Sequence, residues 1–199
     1  MTQWYARMAD IPGIGFAGSP DVDRSRLPGA HVRPEQERGS RYLFWPTPDG
    51  GTSSSPAHGR AFADTRDMTA DRLVRWVWEG VELPGIPSDY HFLLQNAVKQ
   101  LWSQRRRAPE GLRFVEGFAA LDLGLAEAAP YAVAVDEQDL SKGFARLTSV
   151  EIWMKLLAAE GALHDASAVS RRATRFGDAY RDQDLDAKLA ALEAESQLP

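Results

Sequence analysis

The feature that most constrains this chain is a change of pattern at Asp67. From there on, apolar residues recur every three or four positions, the period of amphipathic helices. Before it, residues 1–66 carry 15 of the 28 glycines and prolines, a density that interrupts any helix. The expectation is a mainly α protein. Residues 67–199 would form a domain of antiparallel helix pairs, and residues 1–66 an irregular Gly/Pro-rich arm with one short strand or hairpin, packed on that domain.

Within the arm, Arg41-Tyr42-Leu43-Phe44-Trp45 reads as a strand stopped by the turn residues Pro46–Gly51, and Gly50–Pro56 reads as a flexible loop or linker. The arm also holds Trp4, Tyr5, Phe16, Tyr42, Phe44, Trp45 and Phe62, and aromatics at that density need burial. On a strand, Tyr42 and Phe44 face one way while Leu43 and Trp45 face the other. One side is expected on the helical body near Trp76 or Trp78. The other is left for the rest of the arm, a partner subunit or a ligand.

The helical part divides at its punctuation. A first helix is expected over Thr69–Glu79, stopped by Gly80, with Leu73, Val74 and Val77 between Trp76 and Trp78. A second begins at Ser88 as N-cap and carries Tyr90, Leu94, Ala97, Val98, Leu101 and Trp102. A third opens at Pro109, carries Phe114, Phe118, Leu121 and Leu125, and ends at Pro130. A fourth is capped by Asp139 or Ser141 and runs through Phe144, Leu147, Val150, Met154 and Leu157 to Gly161. A short fifth runs from Asp165 to Phe176, closed by Gly177, and a last one starts near Asp184 with Leu185, Leu189 and Leu192 on one face.

Val150–Ala173 (VEIWMKLLAAEGALHDASAVSRRA) resembles a tetratricopeptide repeat unit, through Trp153, Leu157, Gly161, Leu163, Ala166 and Ala173. Met154 stands where that family has a small residue, and Ser170 where it has an aromatic. Ser88–Ala129 resembles the same module less closely. Leu101 and Leu157 are 56 residues apart, against a family period of about 34. The resemblance implies a helical-repeat-like binding surface and no particular chemistry.

Composition narrows the chemistry. There is no cysteine, which removes disulfides, thiolate metal sites and cysteine nucleophiles. The four histidines, His31, His58, His91 and His164, are widely spaced, so no metal and no cofactor are expected. No signal peptide is recognised in MTQWYARMADIPGIG, and no window approaches 18 uninterrupted apolar residues, so no membrane association is expected and the expected compartment is the cytoplasm. A net charge of −5 argues against nucleic acid, although a local patch can still act.

Arginine outnumbers lysine 19 to 4, which fits either phosphate recognition or the coding bias of a GC-rich genome. The basic clusters are Arg105, Arg106 and Arg107 at a helix C-terminus, where they complement the macrodipole, and Arg171, Arg172 and Arg175 on a helix face. Brought to one side, they would hold phosphate or an acidic peptide. Gly13-Ile14-Gly15-Phe16-Ala17-Gly18 matches the dinucleotide fingerprint GxGxxG, but Pro12 before it and Ser19-Pro20-Asp21 after it leave no strand–turn–helix context, so a plain glycine loop is expected. The histidine–acid neighbours are Asp89 with His91, which diverge on a helix, and His58 with Asp64.

The leading expectation is a non-enzymatic protein that binds a protein partner or a second copy of itself, through the arginines and the aromatics Tyr42, Phe44 and Trp45. The alternatives are nucleic-acid or phosphate binding through the arginine clusters, and an enzyme whose site lies between arm and helices, with His31, Arg41, Tyr42, His58 and Asp64 as its polar groups.

Overall fold

A computed structural model describes residues 5–19, 22–23, 34 and 42–196. Trp4, His31 and Arg41 lie outside the described residues. The chain is mainly helical with a small two-stranded antiparallel sheet, as the pattern change at Asp67 predicts.

The strand-like run forms β1 (Phe44–Pro46), starting three residues and ending one residue later than its sequence suggests, and it pairs with β2 (Thr52–Ser54) around a turn at 47–51. Gly50 closes that turn with φ +82°, a conformation glycine adopts without penalty. Thr52–Ser54, expected as linker, is therefore a strand, because the tight turn returns it alongside β1. The predicted alternation is present: Leu43 and Trp45 are buried, Tyr42 is 56% exposed and Phe44 is half-buried. The covered side meets Tyr5, whose ring lies edge-on to Trp45 at 5.9 Å. Phe16, not the strand, stacks on Trp78 at 5.9 Å.

The arm also contains a helix that its Gly/Pro density conceals, α1 (Pro56–Ala61). Pro56 suits the first helical position, and the Ser55 hydroxyl caps the helix by accepting the His58 N–H at 3.0 Å. Arg60 of α1 lies 3.8 Å over Trp76 and pairs with Glu79 at 3.1 Å, fastening α1 across α2 (Ala70–Val81). Thr69 caps α2 as expected. Gly80 does not stop it. It is buried inside the helix, where a Cβ would come within 2.4 Å of Leu93 Cδ2, so its role is close approach to α3.

The central element is α3 (Pro87–Gln104), which packs against α1, α2, α4 and α5. It starts one residue before Ser88, because Pro87 takes the first helical position, and the Asp89 carboxylate accepts the Ile86 N–H at 3.0 Å. Tyr90, Leu94, Ala97, Val98 and Leu101 bury one stripe, and Leu93 widens it towards α2. A 3-10 turn at Pro109–Gly111 leads into α4 (Leu112–Ala128).

The helix expected from Asp139 begins only at α5 (Thr148–Ala159). Asp139 caps a single 3-10 turn by accepting the Ser141 N–H at 3.1 Å, and Gly143 then turns the chain with φ +88°. The strand-like return pairs Val135 N–H with Gly143 C=O at 3.0 Å and Ala145 N–H with Val133 C=O at 2.7 Å. Those hydrogen bonds win over the helical period of Phe144 and Leu147, leaving 129–147 a structured connection.

Gly161, with φ +79°, turns α5 into α6 (Leu163–Ala173), so Asp165 sits within the first turn and does not cap it. The Ser170 hydroxyl donates to Tyr180 C=O at 2.7 Å and accepts the Asp182 N–H at 3.2 Å, tying down the segment that enters α7 (Gln183–Ser196). Leu185 and Leu189 of α7 are buried, while Leu192 is exposed.

The first residues of the arm close the core. Ala6 and Gly85 exchange both backbone hydrogen bonds, at 2.8 and 3.1 Å, and the Tyr90 hydroxyl donates to Leu83 C=O at 2.7 Å beside Ala6 C=O. Met8, Ile11, Ala57 and Ala61 belong to the same apolar cluster as the helices. Among the described residues, no helix is long and apolar enough to cross a membrane.

Candidate functional site

Helix N-termini set up the polar centre of the molecule. The Asp89 carboxylate, in the first turn of α3, is nearly buried and accepts hydrogen bonds from three sides: Ile86 N–H at 3.0 Å, Ser55 Oγ–H at 2.7 Å and His58 Nδ1 at 3.0 Å. A negative charge there is favoured by the helix N-terminus, and Ser55 couples it to the cap of α1. An Asp89 that accepts at Nδ1 orients the His58 ring with its proton on Nδ1. Nε2 is then left as the acceptor, and it has no hydrogen-bond partner among the described residues.

His58 lines a cavity of about 430 Å³ bounded by Tyr42, α1, the first turns of α3 and the 129–147 connection. The imidazole sits between rings, with Tyr42 edge-on at 5.7 Å and Phe62 at 4.5 Å; Phe62 in turn meets Phe92 at 5.3 Å. Tyr131 and Glu137 of the connection face the same space. The Tyr131 hydroxyl is held above its ordinary pKa, first by desolvation and then by the negative charge of Glu137.

A second pair lies under the first. His91 Nδ1 meets Asp122 Oδ1 at 2.7 Å, with both side chains sealed from solvent. The Ser149 hydroxyl donates to the other Asp122 oxygen. Gln95 accepts the Thr148 N–H at 2.7 Å through Oε1, which turns its NH2 towards His91 Nε2 at 3.5 Å. Every polar atom of this pair is used, and the network joins α3, α4 and the start of α5.

The expected histidine–acid neighbours are thus exchanged. Asp89 and His91 diverge as their spacing requires, but each finds a partner on another helix. His58 pairs with Asp89, not Asp64, which is exposed and bound to Arg66 at 2.6 Å; that pairing lowers the Asp64 pKa to about 2. Of the polar groups proposed for a site between arm and helices, Tyr42 and His58 converge and Asp64 does not. Sequence reading named Asp89 and His91 without their partners, and missed Asp122, Ser149 and Gln95 as members of polar networks. A signal existed for two members: His91 and Asp122 occupy positions on otherwise apolar stripes, next to Tyr90 and Leu94 and between Ala119 and Ala126.

The arginine clusters lie at opposite ends of the bundle. Arg105 follows α3, with its guanidinium 4.4 Å over Trp102 and donating to Trp102 C=O at 2.8 Å, while Arg106 and Arg107 are exposed. Arg172 is bidentate to Glu127 in the last turn of α4, at 2.7 and 3.0 Å, and that pairing raises its pKa. Arg171 donates to Ser167 at 2.8 Å and Arg175 lies over Phe176 at 5.3 Å. Asp122 and Ser149 contact His91 near the start of α3, so the end of α4 shares that end of the bundle, about 20 Å or more from Arg105 at 1.5 Å per helical residue. The two clusters therefore make no joint anion site. Phe44 and Trp45 pack into the hairpin and its support, and only Tyr42 of the three aromatics reaches the cavity.

The glycine motif keeps the left-handed conformation at Gly13, Gly15 and Gly18, with φ +89°, +64° and +79°. Ile14 packs on α4 at Gly124, and Phe16 on Trp78. Among the described residues, no group of three or more histidines and carboxylates is arranged to hold a metal ion. No protein-family model, curated protein or solved structure matches this chain significantly.

Proposed function

We propose that this chain is an enzyme in which the His58–Asp89 pair acts as a general base on a small organic molecule held in the aromatic cavity. One observation carries the reading: Asp89 engages one ring nitrogen of a partly exposed histidine, and the ring's other nitrogen has no partner among the described residues where that ring lines an open, largely apolar cleft. Water or a substrate hydroxyl would give its proton to Nε2, and Asp89 would stabilise the resulting imidazolium. Ser55 is not placed as a nucleophile, because its hydroxyl donates to Asp89 and is buried.

The test has two parts. Long-range nitrogen–proton correlation of the histidine rings is expected to find His58 protonated on Nδ1. Hydrolysis of a series of activated aryl esters is expected to fall by about a hundredfold in His58→Gln, in keeping with the usual contribution of a general base. An Nε2–H tautomer, or equal rates in wild type and His58→Gln, defeats the reading.

A second reading, binding of a protein partner or a second copy of the chain, is supported by the concentration of apolar surface. Of the seven large hydrophobic residues exposed among the described ones, Tyr42, Phe62, Phe92 and Tyr131 ring this cavity. Light scattering over a range of protein concentrations, with Phe62→Ser as control, tests self-association.

A further inference from the structure

Resting on the reading of His58 as a general base, we propose that Ser88 is the nucleophile it serves, so that an ester or similar activated acyl compound is cleaved through an acyl group carried on Ser88. Among the described residues, the hydroxyls that line the cavity are those of Tyr42, Ser88 and Tyr131. Tyr42 already has a further interaction, and the Tyr131 phenol is held protonated, above its ordinary pKa, first by desolvation and then by Glu137. Ser88 is partly exposed, and its side chain makes no hydrogen bond among the described residues. The serines that belong to the two histidine pairs are committed: Ser55 Oγ–H donates to Asp89 at 2.7 Å, and Ser149 donates to Asp122.

The place of Ser88 in the chain supports the role. It precedes Asp89 in the first turn of α3, and Asp89 turns the His58 ring so that Nε2 is free in the same cavity. Serine, histidine and aspartate thus meet at one cavity from α1 and the start of α3, the grouping that activates a serine hydroxyl on unrelated folds. Ser88 Oγ and His58 Nε2 are not hydrogen-bonded to each other. Proton transfer requires the hydroxyl to turn about its side-chain bond, or one water to join the two, and catalytic contacts of this kind tighten as substrate binds. Ser88 Oγ then bonds to the acyl carbon while its proton passes to His58 Nε2. The bond from that carbon to the leaving oxygen breaks, and Nε2 returns the proton to the departing alcohol. Water adds to the acyl group, again giving its proton to Nε2, and Ser88 leaves with that proton, so ester and water become acid and alcohol.

Diisopropyl fluorophosphate and an activated aryl ester, each with the full chain, test the assignment. Fluoride leaves phosphorus as Oγ attacks, so the intact mass is expected to rise by a single diisopropylphosphoryl group that peptide sequencing places on Ser88. Ser88→Ala should take up none, and His58→Gln should react about a hundredfold more slowly. Wild type is expected to release a burst of about one equivalent of phenol from the ester, and Ser88→Ala to show no burst and a steady rate about a hundredfold lower. Ser88→Ala removes no hydrogen bond and should unfold in denaturant like wild type, which separates lost chemistry from lost structure. A label on another residue, or no label on wild type, overturns the nucleophile. A rate that survives Ser88→Ala but falls in His58→Gln overturns only the nucleophile, with water attacking directly. A rate unchanged in both variants removes the general base as well.

Discussion

His58 with Asp89, and His91 with Asp122, are the same two functional groups at the same separation of 31 residues, and each aspartate also accepts a serine hydroxyl. Burial makes them different. In the His91 pair both side chains are sealed, Gln95 faces the second ring nitrogen, and three helices meet on the network. In the His58 pair the aspartate is nearly buried but the imidazole is 24% exposed, with its second nitrogen unpartnered among the described residues. A saturated pair can only hold elements together, whereas a pair with an open nitrogen beside a cavity is equipped to exchange a proton with a ligand.

Mirrored substitutions give the strongest test of that contrast. His91→Ala leaves the Asp122 charge buried with Ser149 as its remaining partner, and about 3–5 kcal/mol of stability should be lost. His58→Ala leaves Asp89 with Ser55 and the Ile86 amide, and should cost about 1 kcal/mol. Denaturant unfolding of both variants measures the difference; equal losses would erase the distinction between the pairs.

Gly85→Ala sharpens the comparison by disturbing one pair alone. The new Cβ would fall 2.4 Å from Ala57 Cβ and 3.2 Å from Asp89 Oδ2, so α1 must shift away from Asp89. Overpacking of this kind costs about 1–3 kcal/mol. The ring signals of His58 should move while those of His91 stay in place, and an unchanged His58 would show that its geometry does not depend on the α1–α3 contact.

The smallest expected effect lies between the pairs, at Tyr90. Burial, and after it the charge of Asp89, raises its hydroxyl well above the ordinary value of 10.0. A group whose folded pKa is raised holds its stabilising contribution below the unfolded value and loses it as pH climbs towards the folded one. Stability should therefore fall above pH 10.0, by at most about 1.4 kcal/mol per pH unit for one proton, and Tyr90→Phe should flatten that decline. A wild-type curve as flat as the variant's would mean that the hydroxyl is not held neutral by its surroundings.

Much of the architecture was legible locally. The helical period marked α2 to α7 within a few residues except at α5, whose start moved from Asp139 to Thr148 because backbone pairing across 133–145 overrode the apolar spacing of Phe144 and Leu147. The alternation over Tyr42–Trp45 correctly separated the covered side from the open one. The candidate site was much less legible. Tyr42 and His58 were visible as polar groups of the arm, but Tyr131 and Glu137 fell between two expected helices with nothing to mark them, and α1 was hidden among prolines and glycines.

The sequence by itself determined that α2, α3, α4, α6 and α7 are helical, where Gly161 turns a helix pair and which side of the hairpin is apolar, because each is a property of one short stretch and its period. Only the tertiary structure decided that Asp89 takes His58 and leaves His91 to Asp122, and that Gly80 brings two helices together instead of ending one. Those outcomes depend on how closely helices from distant parts of the chain approach, and Leu93 against Gly80 or Ala57 against Gly85 sets that distance through contacts no local period encodes.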